Sequence, residues 1–169
     1  SDVYKRQPQG RGLSKSVPMD TILEKIRNLV NKGFKEIVLT GVDITCWGSD
    51  IAGNDKLGDL VNNILNETPD LPRLRLSSLD VSEMDDNLLH VFKTNKRMMP
   101  HLHLSLQSGN NLILKRMKRR HSREQAIDLC RNLKAARPEV TFGADLIAGF
   151  PTESDTMFLD TIKLIDECD

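Results

Sequence analysis

Short apolar strands alternate with amphipathic helices along this chain, and that alternation constrains the fold more than any other feature. Apolar residues recur at helical spacing from Pro18 to Val30, and Gly33 is suited to end that helix. The following segment, Glu36–Gly41, is short, apolar and β-branched and ends at glycine. This is typical of a parallel strand buried on both faces, so the sequence predicts a βα unit.

The same unit recurs roughly every thirty residues. The predicted elements that follow are helix 57–67, strand 74–79, helix 85–94, strand 102–107, a basic turn that begins helical at 111, helix 125–136, strand 141–147 and a helix from 154. They predict an α/β fold, and periodicity alone does not separate a TIM-type barrel from an open doubly wound sheet. Because no strand precedes the first helix and the chain stops where another strand would begin, we expect a fragment of a longer barrel.

The overall charge of the chain does not favour binding to a nucleic acid or a membrane. Lys plus Arg and Asp plus Glu number 24 each, so the net charge is zero. No apolar run approaches the roughly 18–20 residues that cross a bilayer, and the first residues lack the apolar segment of a signal peptide. Cys46, Cys130 and Cys168 are widely spaced, which is typical of a reducing compartment and offers no metal knuckle. We therefore expect a cytoplasmic protein of one domain without a membrane partner.

Polar residues mark the predicted strand ends, where parallel βα folds bind ligands. The candidates are Gly41, Ser78, Asp80, Gln107 and Asp145. Alternation in the third strand also places His101, His103, Ser105 and Gln107 on one face, which would point inward in a barrel. Asp145 lies in an apolar strand, where a carboxylate is costly to desolvate without a partner. These residues predict a ligand site.

The only concentrated positive charge lies between Lys115 and Arg123, here called the basic segment. Its ligands would be carboxylates or phosphates. The candidate RNA contacts in it are Lys115, Arg116, Lys118 and Arg120. No aromatic residue lies within the segment, so the sequence gives no support for base stacking.

Six short motifs, in this order and spacing, resemble the radical S-adenosylmethionine (SAM) methylthiotransferases that modify tRNA. They are Gly10–Ser16, Glu36–Val42 (EIVLTGV), Arg75–Ser78 (RLSS), His101–Gly109 (HLHLSLQSG), Leu114–Arg119 (LKRMKR) and Asp145–Glu153 (DLIAGFPTE). The LTGV and RLSS variants resemble the MtaB type, which acts on N6-threonylcarbamoyladenosine, more than the MiaB type, which acts on isopentenyladenosine. The resemblance implies a partial (βα)6 TIM-like barrel lacking its first and last strands. Residues 8–169 would be this core, without the family's N-terminal cluster domain and C-terminal TRAM domain.

The resemblance also implies cofactors, partners and site residues. In the family, SAM binds a 4Fe-4S cluster held by a CxxxCxxC loop, and reduction by an electron donor starts transfer of a methylthio group to C2 of the adenine at tRNA position 37. The chain would act as a monomer. The SAM-binding residues carried over are Gly41 for the methionyl amino group, Gln107 and Asp145 for the ribose and Arg119 for the carboxylate, with Ser78 and Asp80 as weaker matches.

The sequence departs from the family at the cluster loop. Aligned on Pro8, the second and third cysteines fall at Asp2 and Lys5, and the first would precede Ser1. Residues 1–7 are therefore expected to be a non-native leader. The chain as written is expected to offer no metal ligand and no catalytic residue, and to assemble no cluster.

Two rival interpretations stay open. One is a cluster-free βα enzyme that uses His101, His103 and Asp145 for acid–base chemistry. The other is a non-catalytic RNA-binding module that uses the basic segment.

Overall fold

The structure, a computed structural model, describes residue 12 and residues 14–168. The expectations for residues 1–7, including positions 2 and 5, lie outside these residues. The helices are α1 Met19–Asn31, α2 Leu57–Glu67, α3 Asp86–Thr94, α4 Asn111–Arg116, α5 Arg123–Ala136 and α6 Asp155–Cys168. The strands are β1 Glu36–Leu39, β2 Arg73–Leu76, β3 His101–Gln107 and β4 Thr141–Leu146, with short 3-10 turns at Ile44–Cys46 and Val81–Glu83.

The four strands lie side by side in chain order. β1 pairs with β2 and β3 pairs with β4, both in parallel. Isolated parallel bridges at Leu74–Met98 and Leu79–Leu104 join the two pairs. This confirms the predicted α/β fold with parallel strands, and all four strands present their carboxyl ends at the same edge.

Local hydrogen bonds explain where the helices begin and end. Gly33 ends α1 at a φ of 92°, and the amide of Phe34 behind it donates to the Leu29 carbonyl over 3.2 Å. Glycine adopts this left-handed conformation without the strain that a Cβ brings. Ser122 and Gln125 form a reciprocal capping box at the start of α5. The predicted elements are confirmed, with boundaries that differ by a few residues.

Alternation in β3 divides the sheet into an apolar and a polar face. The leucines at 102, 104 and 106 are at most 5% exposed and pack in the helix-covered core, where burial of each contributes about 1.5–3 kcal/mol. The intervening His101, His103, Ser105 and Gln107 are only half-buried, on the opposite face. The prediction of one polar face on this strand is confirmed.

The first strand differs from its prediction. Ile37 is buried, but Val38 on the opposite face is 49% exposed. On that face Glu36 accepts hydrogen bonds from Arg73 over 2.8 Å and from Arg75 over 2.9 Å. The prediction that this strand is buried on both faces was wrong, because within the described residues the helices cover only one face of the sheet.

Among the described residues, none of the helices combines the length and the apolar character needed to span a lipid bilayer.

The close packing of α2 against α3 depends on Gly58. Its amide donates to Asp85 Oδ2 over 3.0 Å, while Asp85 Oδ1 caps α3 through the Leu88 amide at 2.9 Å. A Cβ at position 58 would lie 2.8 Å from the Asn87 carbonyl carbon and closer still to Asp85 and Leu88. The two helices can therefore approach this closely only where the side chain is a hydrogen atom.

We expect Gly58→Ala to lower the free energy of unfolding by about 1–3 kcal/mol, because the added methyl group overpacks the α2–α3 contact. Urea unfolding followed by circular dichroism measures this. The control is Asn62→Ala on the exposed face of α2, which should stay close to the parent. Equal stabilities of the two variants would contradict the close contact.

Candidate functional site

The strand-end site comprises the six residues that the resemblance carries over: Gly41, Ser78, Asp80, Gln107, Arg119 and Asp145. Five of them lie at or near the carboxyl ends of the strands, and the sixth, Arg119, follows α4. Arg119 reaches the site through Asp80, since its Nη1 lies 3.9 Å from Asp80 Oδ2. The fold thus brings Arg119 to the end of β2.

Asp80 is the best-ordered carboxylate of the site. It is 18% exposed, and its Oδ1 accepts from the Ser82 amide at 2.9 Å and the Ser82 hydroxyl at 2.7 Å. His121 Nδ1 lies 3.8 Å from the same oxygen. Burial raises the pKa of Asp80, but the His121 and Ser82 side chains and the Ser82 amide oppose this, and the net shift is well below the usual range. Asp80 is therefore ionised at neutral pH.

Backbone hydrogen bonds fix the position of Arg119. Lys118 has a φ of 58°, its amide donates to the Lys115 carbonyl at 3.0 Å, and the Arg119 amide donates to the Leu114 carbonyl at 2.9 Å. These bonds form a Schellman motif that ends α4. The chain therefore reverses at Lys118 and directs Arg119 toward the strand ends.

The arginines near Arg119 already have close partners. Arg116 donates to the Thr152 hydroxyl over 2.6 Å, Arg120 forms an ion pair with Glu83, and Arg123 donates to the Gly109 carbonyl over 2.8 Å. In the part of the chain that the structure describes, the Arg119 guanidinium makes no hydrogen bond, only its long contact with Asp80. Its N–H groups are therefore available to an anionic ligand.

The structure separates the four RNA-binding candidates into two pairs. Arg116 and Arg120 are engaged with Thr152 and Glu83, whereas the ammonium groups of Lys115 and Lys118 contact no acceptor among the described residues. The role of all four in RNA binding stays a prediction.

A polar chain crosses the open face of the sheet. Ser78 Oγ lies 3.0 Å from His103 Nδ1, and His103 Nε2 lies 3.7 Å from Asp145 Oδ1. Gly143 leaves the space for this, because a Cβ there would lie 3.1 Å from His103 Cδ2 and 3.6 Å from His101 Nε2. These polar contacts therefore join β2, β3 and β4 at the level of the predicted site.

Two further site residues are Gln107, which has an unusual backbone conformation, and Asp145, which is exposed. Gln107 ends β3 at a φ of 65°, a conformation that costs a non-glycine residue about 1–3 kcal/mol and recurs at functional sites. The side chain of Asp145 is 82% exposed. The expectation that Asp145 is a desolvated carboxylate was wrong, because within the described residues no element covers its face of β4.

Some of the arrangement was not predicted. No sequence pattern assigned Asp43, Glu83 or His121 to the strand-end site. Thr45 Oγ1 donates to Asp43 Oδ1 at 2.7 Å or to Glu83 Oε2 at 2.9 Å. Glu83 also pairs with Arg120. No local spacing indicates the contacts of Glu83 with Thr45 and Arg120, since they join segments that are distant in sequence.

The cysteines of this chain do not fit an iron–sulfur cluster, which requires thiolates. Burial raises the pKa of the Cys46 thiol to about 12, and its neighbours Asp43 and Glu83 add to the shift. Cys130 and Cys168 are buried between α5 and α6, where the Cys168 thiol and burial raise the pKa of Cys130. Cys46 thus lies apart from the Cys130–Cys168 pair. The surroundings of Cys46 and of Cys130 both disfavour the thiolate.

The lowered pKa of Asp80 predicts a dependence of stability on pH. The ionised carboxylate favours the folded state, so its contribution is present above the unfolded-state pKa of about 3.9 and is lost as the pH falls below it. We expect Asp80→Asn to lower the free energy of unfolding near pH 7 by about 1.5–3 kcal/mol and to flatten the loss of stability on acidification. Denaturant titrations across pH measure this, with exposed Asp70→Asn as the control. Parallel acid profiles of Asp80→Asn and the parent would contradict it.

Comparisons with known proteins match the sequence of this chain to one superfamily. Residues 3–165 match the Radical SAM superfamily. The chain is 51% identical over 162 residues to threonylcarbamoyladenosine tRNA methylthiotransferase MtaB of Rickettsia prowazekii (strain Madrid E), covering 96% of this chain and 38% of the relative. It is 38% identical over 160 residues to tRNA-2-methylthio-N(6)-dimethylallyladenosine synthase of Shouchella clausii (strain KSM-K16), covering 95% of this chain and 30% of the relative.

The chain thus spans well under half the length of these curated relatives. Their names confirm the resemblance to the tRNA methylthiotransferases that the six motifs indicated. Because the match to the superfamily extends over nearly the whole sequence, from residue 3 to residue 165, the chain belongs to the radical SAM superfamily.

Proposed function

We propose that this chain is the SAM-binding core of a tRNA methylthiotransferase of the MtaB type. The observation that carries the proposal is the Arg119 guanidinium, which lies beside the ionised Asp80 at the strand ends and makes no hydrogen bond within the described part of the chain. An arginine held at a ligand-binding edge with free donors suits a carboxylate, and SAM carries one.

The donor set of the strand-end site fits SAM. Arg119 would bind the methionyl carboxylate, and Asp80 would attract the ammonium group next to it. The Gln107 amide and the exposed Asp145 carboxylate would bind ribose hydroxyls, and Ser78 adds a hydroxyl. Gly41 is exposed, and its backbone would meet the ligand on the side away from Ile44, whose Cγ2 lies 2.9 Å from where a Cβ would be. These roles follow the resemblance and the chemistry of each group.

We also propose that the four strands are part of a TIM-like barrel. Among the described residues the strands follow chain order without a switch point, which supports a barrel over a doubly wound sheet. The polar face of β3 and the exposed Asp145 would then face the barrel interior.

The cysteines of this chain would not hold the iron–sulfur cluster that the radical chemistry requires. An enzyme that contains this core needs three thiolates other than Cys46, Cys130 and Cys168. The chain alone would bind SAM and orient it but would not reduce it. An electron donor, the monomeric state and a cytoplasmic location belong to the same proposal for the whole enzyme.

The proposed substrate is N6-threonylcarbamoyladenosine in tRNA. Support comes from the 51% identity to a relative named for that nucleoside, against 38% to a relative named for dimethylallyladenosine. The basic segment would contact tRNA phosphates, with Lys115 and Lys118 best able to do so because their charges are unpaired within the described residues.

The cluster-free enzyme has weaker support. His103 and Asp145 do approach each other at 3.7 Å, but this exceeds a hydrogen bond and the aspartate is exposed. His101 Nδ1 is buried without a partner among the described residues, and within them His101 makes no hydrogen bond or ion pair with Asp145.

Arg119 should determine much of the affinity for SAM. We expect the parent chain to bind SAM in isothermal titration calorimetry, and Arg119→Ala to weaken binding about tenfold to a hundredfold, because a charge-assisted hydrogen bond contributes about 1.5–3 kcal/mol. Arg119→Lys should recover part of the loss, since an ammonium keeps the charge without the planar fork. Exposed Arg131→Ala on α5 is the control. A parent chain that does not bind SAM would refute the proposed function.

The substrate is tested in a chimaera. Residues 8–169 replace the matching segment of the Rickettsia prowazekii relative, which supplies the rest of the enzyme, and tRNA nucleosides are analysed by mass spectrometry in cells lacking both methylthiotransferase activities. We expect the methylthio group on N6-threonylcarbamoyladenosine. Modification of dimethylallyladenosine alone would overturn the assignment, and a chimaera with Arg119→Ala serves as the matched inactive control.

A further inference from the structure

His121 is a buried histidine whose two ring nitrogens both face acceptors. Its side chain is 1% exposed. Nε2 lies 3.3 Å from the Leu106 carbonyl oxygen at the end of β3, and Nδ1 lies 3.8 Å from Asp80 Oδ1 at the end of β2. The ring thus lies between two strand ends of the proposed SAM site.

The chemistry of the two acceptors decides what the ring must do. A carbonyl oxygen and a carboxylate can only accept, and a neutral imidazole carries a single N–H. Within the described residues Nδ1 has no hydrogen-bond partner, and an unpaired polar atom at this depth is costly. Only a ring with a proton on each nitrogen can donate to both acceptors, and Nδ1 lies 3.8 Å from Asp80 Oδ1.

The contacts of His121 lead to two residues of the strand-end site. Leu106 precedes Gln107, whose left-handed backbone must be held in place. Arg119 Nη1 lies 3.9 Å from the other oxygen of Asp80, Oδ2. Arg120 is engaged with Glu83, and the Ser82 amide and hydroxyl bind Asp80 Oδ1 from the other side. In the described structure, the basic side chains nearest the Asp80 carboxylate are therefore those of His121 and Arg119.

Resting on the proposed function, we propose that His121 is a positioning residue of the SAM site, which acts through Asp80 to hold Arg119 toward the methionyl carboxylate. The imidazole does not touch the ligand. It fixes the rotamer of Asp80 through Nδ1, and its Nε2 contact with Leu106 anchors the ring to β3. Because the Asp80 carboxylate is already oriented, the Arg119 guanidinium beside it is in place to bind the carboxylate of the ligand.

Two substitutions test the roles of the two ring nitrogens separately. The amide nitrogen of asparagine reaches the position of Nδ1, and that of glutamine reaches the position of Nε2. His121→Asn therefore keeps a donor toward Asp80, whereas His121→Gln keeps a donor toward Leu106. His121→Phe removes both donors at similar volume. His90→Gln, on the exposed side of α3, is the control.

The readouts are SAM affinity by isothermal titration calorimetry and the melting temperature of each variant of the whole chain. We expect His121→Asn to bind SAM within about threefold of the parent, and the glutamine and phenylalanine variants to bind about tenfold more weakly, which is about 1.4 kcal/mol. A glutamine variant that binds as well as the parent, or an asparagine variant as weak as the phenylalanine variant, would overturn the proposal. So would affinities that simply follow the melting temperatures.

The parent chain supplies a second measurement if a variant does not fold. Nitrogen-15 NMR of the His121 ring in the SAM-bound chain should show a proton on both nitrogens, and a ring protonated only on Nε2 would overturn the proposal. If the parent binds no SAM, the proposed function itself fails. If the parent binds SAM and only the His121 results differ from expectation, the positioning role alone fails.

Discussion

One-sided burial of β3 is the constraint on which the rest of the structure depends. Its leucines pack into the helix-covered core, and this fixes the register against β2 and β4, because a slip of one residue would exchange the two faces of the strand. The same packing holds His103 and Gln107 on the opposite face. A polar surface at the strand ends is therefore maintained by apolar contacts on the other side of the sheet.

Asp80 joins the parts of the site that the chain brings from distant positions. It follows β2, while Arg119 and His121 come from the segment after α4. A carboxylate between two basic groups holds that segment against the strand ends without an extended apolar interface. In the proposed SAM site, the Arg119 charge that attracts the methionyl carboxylate thus lies on a segment whose turn is set by the backbone hydrogen bonds after α4.

The sequence predicted the elements well because each carries a local signal. Gly33 and the Ser122–Gln125 box mark helix ends, and alternation in β3 separates its faces. Val38 and Asp145 were predicted less well, since their exposure depends on what covers a strand, which no local pattern encodes. The motifs indicated Arg119 and Asp80 separately. The approach of His121 to Asp80 could not be predicted, because a histidine in a basic segment has no local sign of burial.

Position 143 has no side chain, and this absence shapes the polar face of the sheet as much as any charged group does. The imidazoles of His101 and His103 occupy the volume that a methyl group would take. A change to alanine would alter no charge and remove no hydrogen-bonding group, yet it would narrow the space in which these rings can turn. The shape of this surface thus depends on an atom that is absent, since even a methyl group there would lie 3.1 Å from the His103 ring.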